Sequence, residues 1–419
     1  MVLRTLIVIL AVFVSAAGSA FAQIKLPDVT GPTIQRIPVF VPDLSSVGSP
    51  DAKGQEFVEV LRNDLLNAAL FEVTSGSAVS GDPASINFQS IYDAGADYMV
   101  AGQYQSVGGK IKFAVQLFNV REQRPILGRS YEATSGKVRE AAHRFADQVM
   151  KQITGNDGFF TSKIAFVMGG TRDRNLFLMD YDGANIKQLT RHSSLVMSPH
   201  CSPDGSKIVF NSDKVWDQDL YVITLGASIS ETRLTKAFKL EQSAEWSPSG
   251  QQLAFSANGD IYVSGPNGKG AVNITRSNAI DVSPTWSPDG GRIAFVSDRG
   301  GNPGIYIMNS NGSGVRRISG GGYATDPSWS TNPRVNKIAY VKLGGGGADI
   351  YTVNPDGSDE KRLTAAGRNE NPAWSPDGYY IAFSSTRNAA KDMYIMYMNG
   401  ENQRRLSQGG GKSFPTWCK

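Results

Sequence analysis

The chain has 419 residues, enough for two domains and a large buried core. Its formal net charge of +4 is small for that length and gives no case for a nucleic-acid partner or an anionic membrane surface. Its three histidines, His143, His192 and His200, are too few and too ill-spaced for a metal cluster.

The opening reads as a secretory signal. Arg4 supplies the basic n-region, Leu6 to Val14 the apolar h-region, and Ala20-Phe21-Ala22 the small-x-small cleavage site. Residues 1–22 are therefore expected to be cut after Ala22, leaving Gln23 first. The apolar run is too short to span a bilayer comfortably, no lipobox cysteine follows, and no later stretch suits a membrane span, so no direct membrane insertion is expected. Residues 23–36 carry Pro27, Gly31 and Pro32 without sustained periodicity and read as a flexible N-terminal arm.

Residues 37–155 predict a small mixed α/β domain. Ile37 to Val41 reads as a strand. Ser49 and Pro50 start a helix through Leu70, with Phe57, Val58, Leu61, Leu65 and Leu66 at helical spacing. Phe71 to Val73, Ala96 to Gly102, Ile111 to Leu117 and Ile126 to Tyr131 read as strands. A closing helix runs from about Lys137 to Ile153, with Val138, Ala141, Phe145, Val149 and Ile153 on its apolar face. Gly155-Asn156-Asp157-Gly158 is a linker.

Residues 160–419 repeat one phrase: Trp286-Ser287-Pro288-Asp289-Gly290 and Trp374-Ser375-Pro376-Asp377-Gly378, with degraded copies starting at Cys201, Trp246, Trp329 and Trp417. The spacings are 45, 40, 43, 45 and 43 residues, a period that marks a β-propeller with one blade per repeat. Each repeat holds a first strand ending at the Trp, a Pro-Asp-Gly turn, a second strand such as Ile293-Ala294-Phe295, and a third such as Ile305-Tyr306-Ile307. A short fourth strand ends in Leu-Thr or a relative. Ile164-Ala165-Phe166 lacks a preceding Trp phrase, and Phe414 to Trp417 lacks a following second strand. Joining these ends closes a six-bladed ring and removes two open sheet edges. The fold class is therefore mainly β: a six-bladed propeller after a small mixed α/β domain.

Two readings are open for Cys201 and Cys418. An exported pair on neighbouring inner strands suggests a disulfide. Against it, Cys201 stands at a Trp position, where a buried thiol serves as a small hydrophobe, and Cys418 follows Trp417 and points to the opposite face.

The chain carries no G-x-S-x-G elbow, and the glycine run Gly344 to Gly347 lacks the Lys-Ser/Thr pair of a phosphate loop. Asp204, Asp289 and Asp377 recur at turns, which favours a structural role over metal ligation. The Trp row, Trp246, Trp286, Trp329, Trp374 and Trp417, reads as blade-to-blade packing. No catalytic residue, metal or cofactor is assigned. The residues just before each Trp phrase are not repeated in identity, and they should ring one channel mouth. The candidate binding residues there are Met197, Ser198, Leu240, Gln242, Asp281, Val282, Thr325, Asp326, Glu370, Asn371, Ser413 and Phe414. Asp281, Asp326 and Glu370 are expected to share the opening and favour a basic segment or a cation, unless Arg276 and Arg368 neutralise them.

An exported α/β domain followed by six such repeats, ending on a Trp strand, resembles the TolB family of the bacterial Tol-Pal envelope system over essentially the whole chain. The resemblance implies a monomeric, non-enzymatic periplasmic adaptor whose propeller mouth binds the lipoprotein Pal. It also implies an arm, here Gln23, Ile24, Lys25 and Leu26, that engages the C-terminal domain of TolA. Pro27 and Pro32 remove backbone donors that strand addition by this arm would use. The alternative is an exported hydrolase or small-ligand sensor using the central channel.

Overall fold

A computed structural model describes residues 36–68, 70–76, 85–236, 238 and 240–419. The predicted signal peptide and residues 23–35 of the predicted arm, Gln23 to Leu26 included, lie outside the described residues.

The N-terminal domain comprises β1 (Ile37–Phe40), β2 (Ser45–Ser46), α1 (Ala52–Asn67), β3 (Phe71–Thr74), α2 (Phe88–Asp93), β4 (Tyr98–Val107), β5 (Lys110–Asn119), β6 (Arg124–Thr134) and α3 (Val138–Thr154). The sheet order is β3-β1-β4-β5-β6, with β2 on β4. β1 is parallel to both neighbours, so the chain must cross over between β1 and β3, and α1 is that crossover. The helix starts later than the sequence reading put it. Asp51 is the cap, accepting from the Lys53 amide at 2.8 Å. Phe57, Leu61 and Leu65 of α1 and Phe145 and Val149 of α3 share one core with Phe113 and Val115 of β5. α2 was not anticipated. It is 6 residues long, too short to print a helical period.

The rest is six four-stranded antiparallel sheets. Blades 1 to 5 begin their inner strands at Val196, Gln242, Asp281, Tyr323 and Asn369. Blade 6 joins Lys412–Cys418 to Lys163–Gly169, Arg174–Asp180 and Lys187–Gln188, with Trp417 opposite Ile164, which is the predicted closure.

The repeated residues repeat because each does one job per blade. Trp286, Trp374 and Trp417 donate their indole N–H to Glu245, Ser328 and Ala373 carbonyls of the preceding blade, at 3.2, 2.9 and 3.1 Å. In the turns, Asp204, Asp289 and Asp377 accept from the Ser two positions earlier, so these aspartates are turn residues. The Thr or Ser of the Leu-Thr pair does not belong to the fourth strand, which stops just before it. Its hydroxyl instead accepts an amide proton from the third strand: Thr190 from Leu176, Thr235 from Leu220, Thr275 from Ile261, Ser319 from Ile305, Thr364 from Ile350 and Ser407 from Met393.

Cys201 and Cys418 form a disulfide, with Cα atoms 5.3 Å apart, which corrects the reading that their opposite faces keep them apart. Opposite faces are what brings them together. A Trp-position side chain faces the preceding blade, whereas the residue after the Trp faces the next one. Cys201 of blade 1 and Cys418 of blade 6 therefore point at each other across the closing seam, in one buried cluster with Val167 and Phe210.

Candidate functional site

The six inner strands enclose a channel of about 340 Å³. Each strand bulges at one residue: Ser198, Ser243, Ser283, Asp326, Asn371 and Phe414, with φ of 46, 49, 54, 51, 55 and 53°. The register with the second strand slips at each of these places. A bulge twists the strand and re-aims a side chain, and all six residues line the channel. The left-handed conformation suits Asp326 and Asn371 and strains Phe414, a cost of order 1–3 kcal/mol at such a residue. Five of the six precede Pro or, in blade 6, Pro415, while Ser243 precedes Ala244. This ring was not foreseen as a unit. Its legible signal was a short polar residue before Pro at one fixed offset ahead of the Trp.

Deeper in the channel, His200 Nε2 lies 3.5 Å from Glu245 Oε2. Glu245 also accepts from the Trp286 amide at 3.0 Å and the Thr285 hydroxyl at 3.2 Å. Burial pushes Glu245 up to about 8 and His200 down to about 4. At neutral pH the pair is thus a carboxylic acid beside a neutral imidazole, and this part of the channel carries no net charge.

The structure divides the predicted mouth residues. Ser198, Asp326, Asn371 and Phe414 line the channel, and Leu240 is 61 % exposed on the rim. Met197, Gln242, Val282, Thr325 and Glu370 are half-buried. Asp281 and Ser413 are buried and present no contact surface, which corrects their reading as mouth residues.

The expected acidic cluster is also corrected. Asp281 is gripped by Arg299 Nη2 at 3.0 and 2.8 Å. Burial works against the Glu370 charge. Lys391 at 2.5 Å and Arg368 at 2.9 Å outweigh it and hold the carboxyl below its usual range. Arg368 does neutralise as proposed, whereas Arg276 bonds to Asn273 instead. Among the described residues, Asp326 alone of the three has no ion pair. Burial pushes it up, and it accepts from Asn371 Nδ2 at 3.0 Å.

Large apolar side chains stand exposed around the same rim. Trp216, 99 % exposed, caps the hairpin between the second and third strands of blade 1. That hairpin rises at the end where the inner strand begins, because Val196 pairs with Ser212. Ile280 precedes the blade 3 inner strand and Tyr323 opens that of blade 4, at 59 and 45 % exposure. Trp216 belonged to no repeat position, and that was its signal: it is the Trp the fold does not use. Among the described residues, no helix is long and apolar enough to cross a membrane.

A family model described as the TolB beta propeller domain matches residues 150–419, and one described as the TolB amino-terminal domain matches residues 27–126. Curated relatives include the Tol-Pal system protein TolB of Desulfosudis oleivorans, 35 % identical over 66 % of this chain and 66 % of its own length. That of Geobacter metallireducens is 37 % identical over 43 % of this chain and 44 % of its own length. The matched segments thus span 44 to 66 % of these relatives. The crystal structure of TolB from Acinetobacter baumannii has the same fold, with a TM-score of 0.78, 23 % identity, and coverage of 94 % of this chain and 98 % of that one. With a family model covering the whole propeller and a second covering most of the domain before it, this chain belongs to the TolB family of the Tol-Pal system.

Proposed function

We propose that this chain is a non-enzymatic periplasmic adaptor that binds Pal at the propeller mouth and the TolA C-terminal domain through residues 23–36. It would thereby support outer-membrane integrity and envelope constriction during division. The observation that carries the reading is the rim: exposed Trp216, Leu240, Ile280 and Tyr323 surround an opening whose charges are mostly paired within the protein. Exposed apolar side chains grouped on one face mark a protein contact more than a site for a small polar ligand. The signal-like residues 1–22 support a location outside the cytoplasm for that surface.

Calorimetric titration of soluble Pal and of the TolA C-terminal domain, against the chain with and without Gln23 to Ile34, tests both halves. The expected result is that deletion abolishes TolA binding and spares Pal binding. Unchanged TolA binding would sink the arm, and absence of Pal binding by the intact chain would sink the mouth.

The second reading, a small-ligand sensor, is favoured by the channel volume and the neutral Glu245–His200 pair in its wall. It predicts that Glu245→Gln alters ligand uptake while leaving Pal binding unchanged.

A further inference from the structure

The seam between the α/β domain and the propeller contains a buried polar network that the mouth and the arm do not involve. Asp64 stands on α1, His143 on α3, and Tyr181 follows the third strand of blade 6; all three are buried. His143 Nδ1 is 2.7 Å from Asp64 Oδ2, and the Tyr181 hydroxyl donates to Asp64 Oδ1 at 2.6 Å. The Tyr181 ring stands edge-on to the imidazole at 5.6 Å. His143 Nε2 is buried without a partner. Around this network an aromatic cluster seals the seam: Phe159 packs on Tyr181, Tyr380 and Trp417. The Tyr380 hydroxyl donates to the Asn67 carbonyl at 3.0 Å.

We propose that docking of the α/β domain on the propeller takes up a proton at the Asp64–His143 pair, so that this seam is a pH-sensitive latch. Separating the domains would return both groups to water. Docked, the pair is stable only while it shares a proton: an imidazolium beside a carboxylate, or a neutral acid beside a neutral imidazole. Loss of that proton leaves a buried carboxylate facing a neutral ring, and an uncompensated buried charge is costly.

The surrounding charges act in the same direction. Burial opposes the charged imidazole, but the Asp64 bond and charge and the nearby Asp182 outweigh it, while Arg139 pulls the other way; His143 lies above its ordinary value. Burial pushes Asp64 up to about 6, against the pull of His143 and Tyr181. Asp182 is itself held by Arg139. Arg404 faces Tyr181, and Asp147 and Asp180 face His143, with Lys163 paired to Asp180. In the same seam, beside Ala68, Leu70 and Met150, burial lifts Asp377 to about 6. Each raised group holds its proton better docked than undocked, so docking weakens as pH rises. The Asp64 and Asp377 contributions are spent by about pH 6. That of His143 acts from its ordinary value of about 6.5 upward.

A proton fits this place better than a metal ion. Ligand-type atoms of Asp64, His143 and Asp182 lie within 4.8 Å of one another. Both Asp64 oxygens, however, already accept from protein donors, and Asp182 accepts from Arg139 and from the Ala184 amide.

Amide hydrogen exchange on the full chain, corrected for the intrinsic rate and followed in α3 and the turn at Tyr181, reads the opening of the seam. Between about pH 6.5 and 8, opening should rise by up to about tenfold per pH unit, the limit for one proton. His143→Gln should flatten that slope. Tyr181→Phe removes a bond without removing the titrating pair, so it should raise opening while a pH slope persists. Chelator or added zinc should move neither. A flat profile in the native chain overturns the latch even if His143→Gln fails to fold. A slope that survives His143→Gln, or one that follows zinc, overturns it equally.

Discussion

Two sets of positions recur in every blade and behave in opposite ways. The Thr or Ser after the fourth strand is chemically constant, because one hydroxyl must accept one amide proton in each blade. The residue two before the bulge is just as buried, yet it reads Val196, Glu241, Asp281, Ala324, Asn369 and Lys412. Three of the four polar ones are settled privately. Asp281 has Arg299, Asn369 accepts from Arg387, and Lys412 lies 3.8 Å from Asp392. Glu241 keeps one oxygen without a partner. Repetition therefore marks what the fold requires, but variation does not by itself mark what binds. Apart from Glu241, the charged buried variable positions balance their own charge. Only the exposed ones, such as Trp216 and Leu240, are left for a partner.

The constant set should break hardest at the closing seam. Deleting Phe414 to Lys419 removes Trp417, the disulfide and the inner strand of blade 6 at once. A buried Trp accounts for roughly 3–5 kcal/mol, and a native disulfide typically for about 2–5 kcal/mol. Calorimetry should show the truncated chain melting far below the full one or failing to fold. Reduction of the intact chain should give a smaller fall. A truncated chain that melts within a few degrees of the full one would mean the ring is not closed by its C-terminus.

Within the variable set, Arg299→Ala should cost about 3–5 kcal/mol, because it strands a buried carboxylate. Glu241→Gln should do the reverse. Burial and the neighbouring Asp219 raise the Glu241 carboxyl, so the native fold holds its proton too tightly. That contribution is fully present below its ordinary value and lost as pH rises through the raised one. Glu241→Gln should therefore be neutral or slightly stabilising at neutral pH and flatten part of the acid-side slope. Urea melts of both variants across pH compare them directly. Equal losses would mean that Glu241 has a cationic partner after all.

The propeller was legible because its fold is a sum of local necessities repeated at one period: the Trp recurs in most copies, the turn Asp in half of them, and the terminal Thr or Ser in all six. Ring closure could be read from the two incomplete ends. The disulfide stayed open in the sequence because opposite strand faces meet across a ring seam, a tertiary fact. The acidic cluster failed for a related reason. Asp281 and Glu370 look alike in sequence, but Arg299, 18 residues away, and Lys391, 21 residues away, reach them only through the hairpin geometry of their blades. The seam at Asp64, His143 and Tyr181 has no local signature, since its members lie 79 and 117 residues apart.

Trp216 is where the comparison can be sharpened most gently. It is 99 % exposed and sits at φ 78°, so it buries no area and holds a conformation that side chains disfavour. Trp216→Gly should leave the melting temperature unchanged or raise it slightly, because Gly relieves the left-handed backbone without giving up packing. On the proposed reading, the same change should weaken Pal binding by at least about tenfold, about 1.4 kcal/mol, since exposed Trp side chains near an interface centre carry a large share of its energy. Calorimetric titration beside a thermal melt separates the two effects. If binding is untouched while the fold is intact, blade 1 is not part of the contact, and the partner must sit over Leu240, Ile280 and Tyr323 on blades 2 to 4.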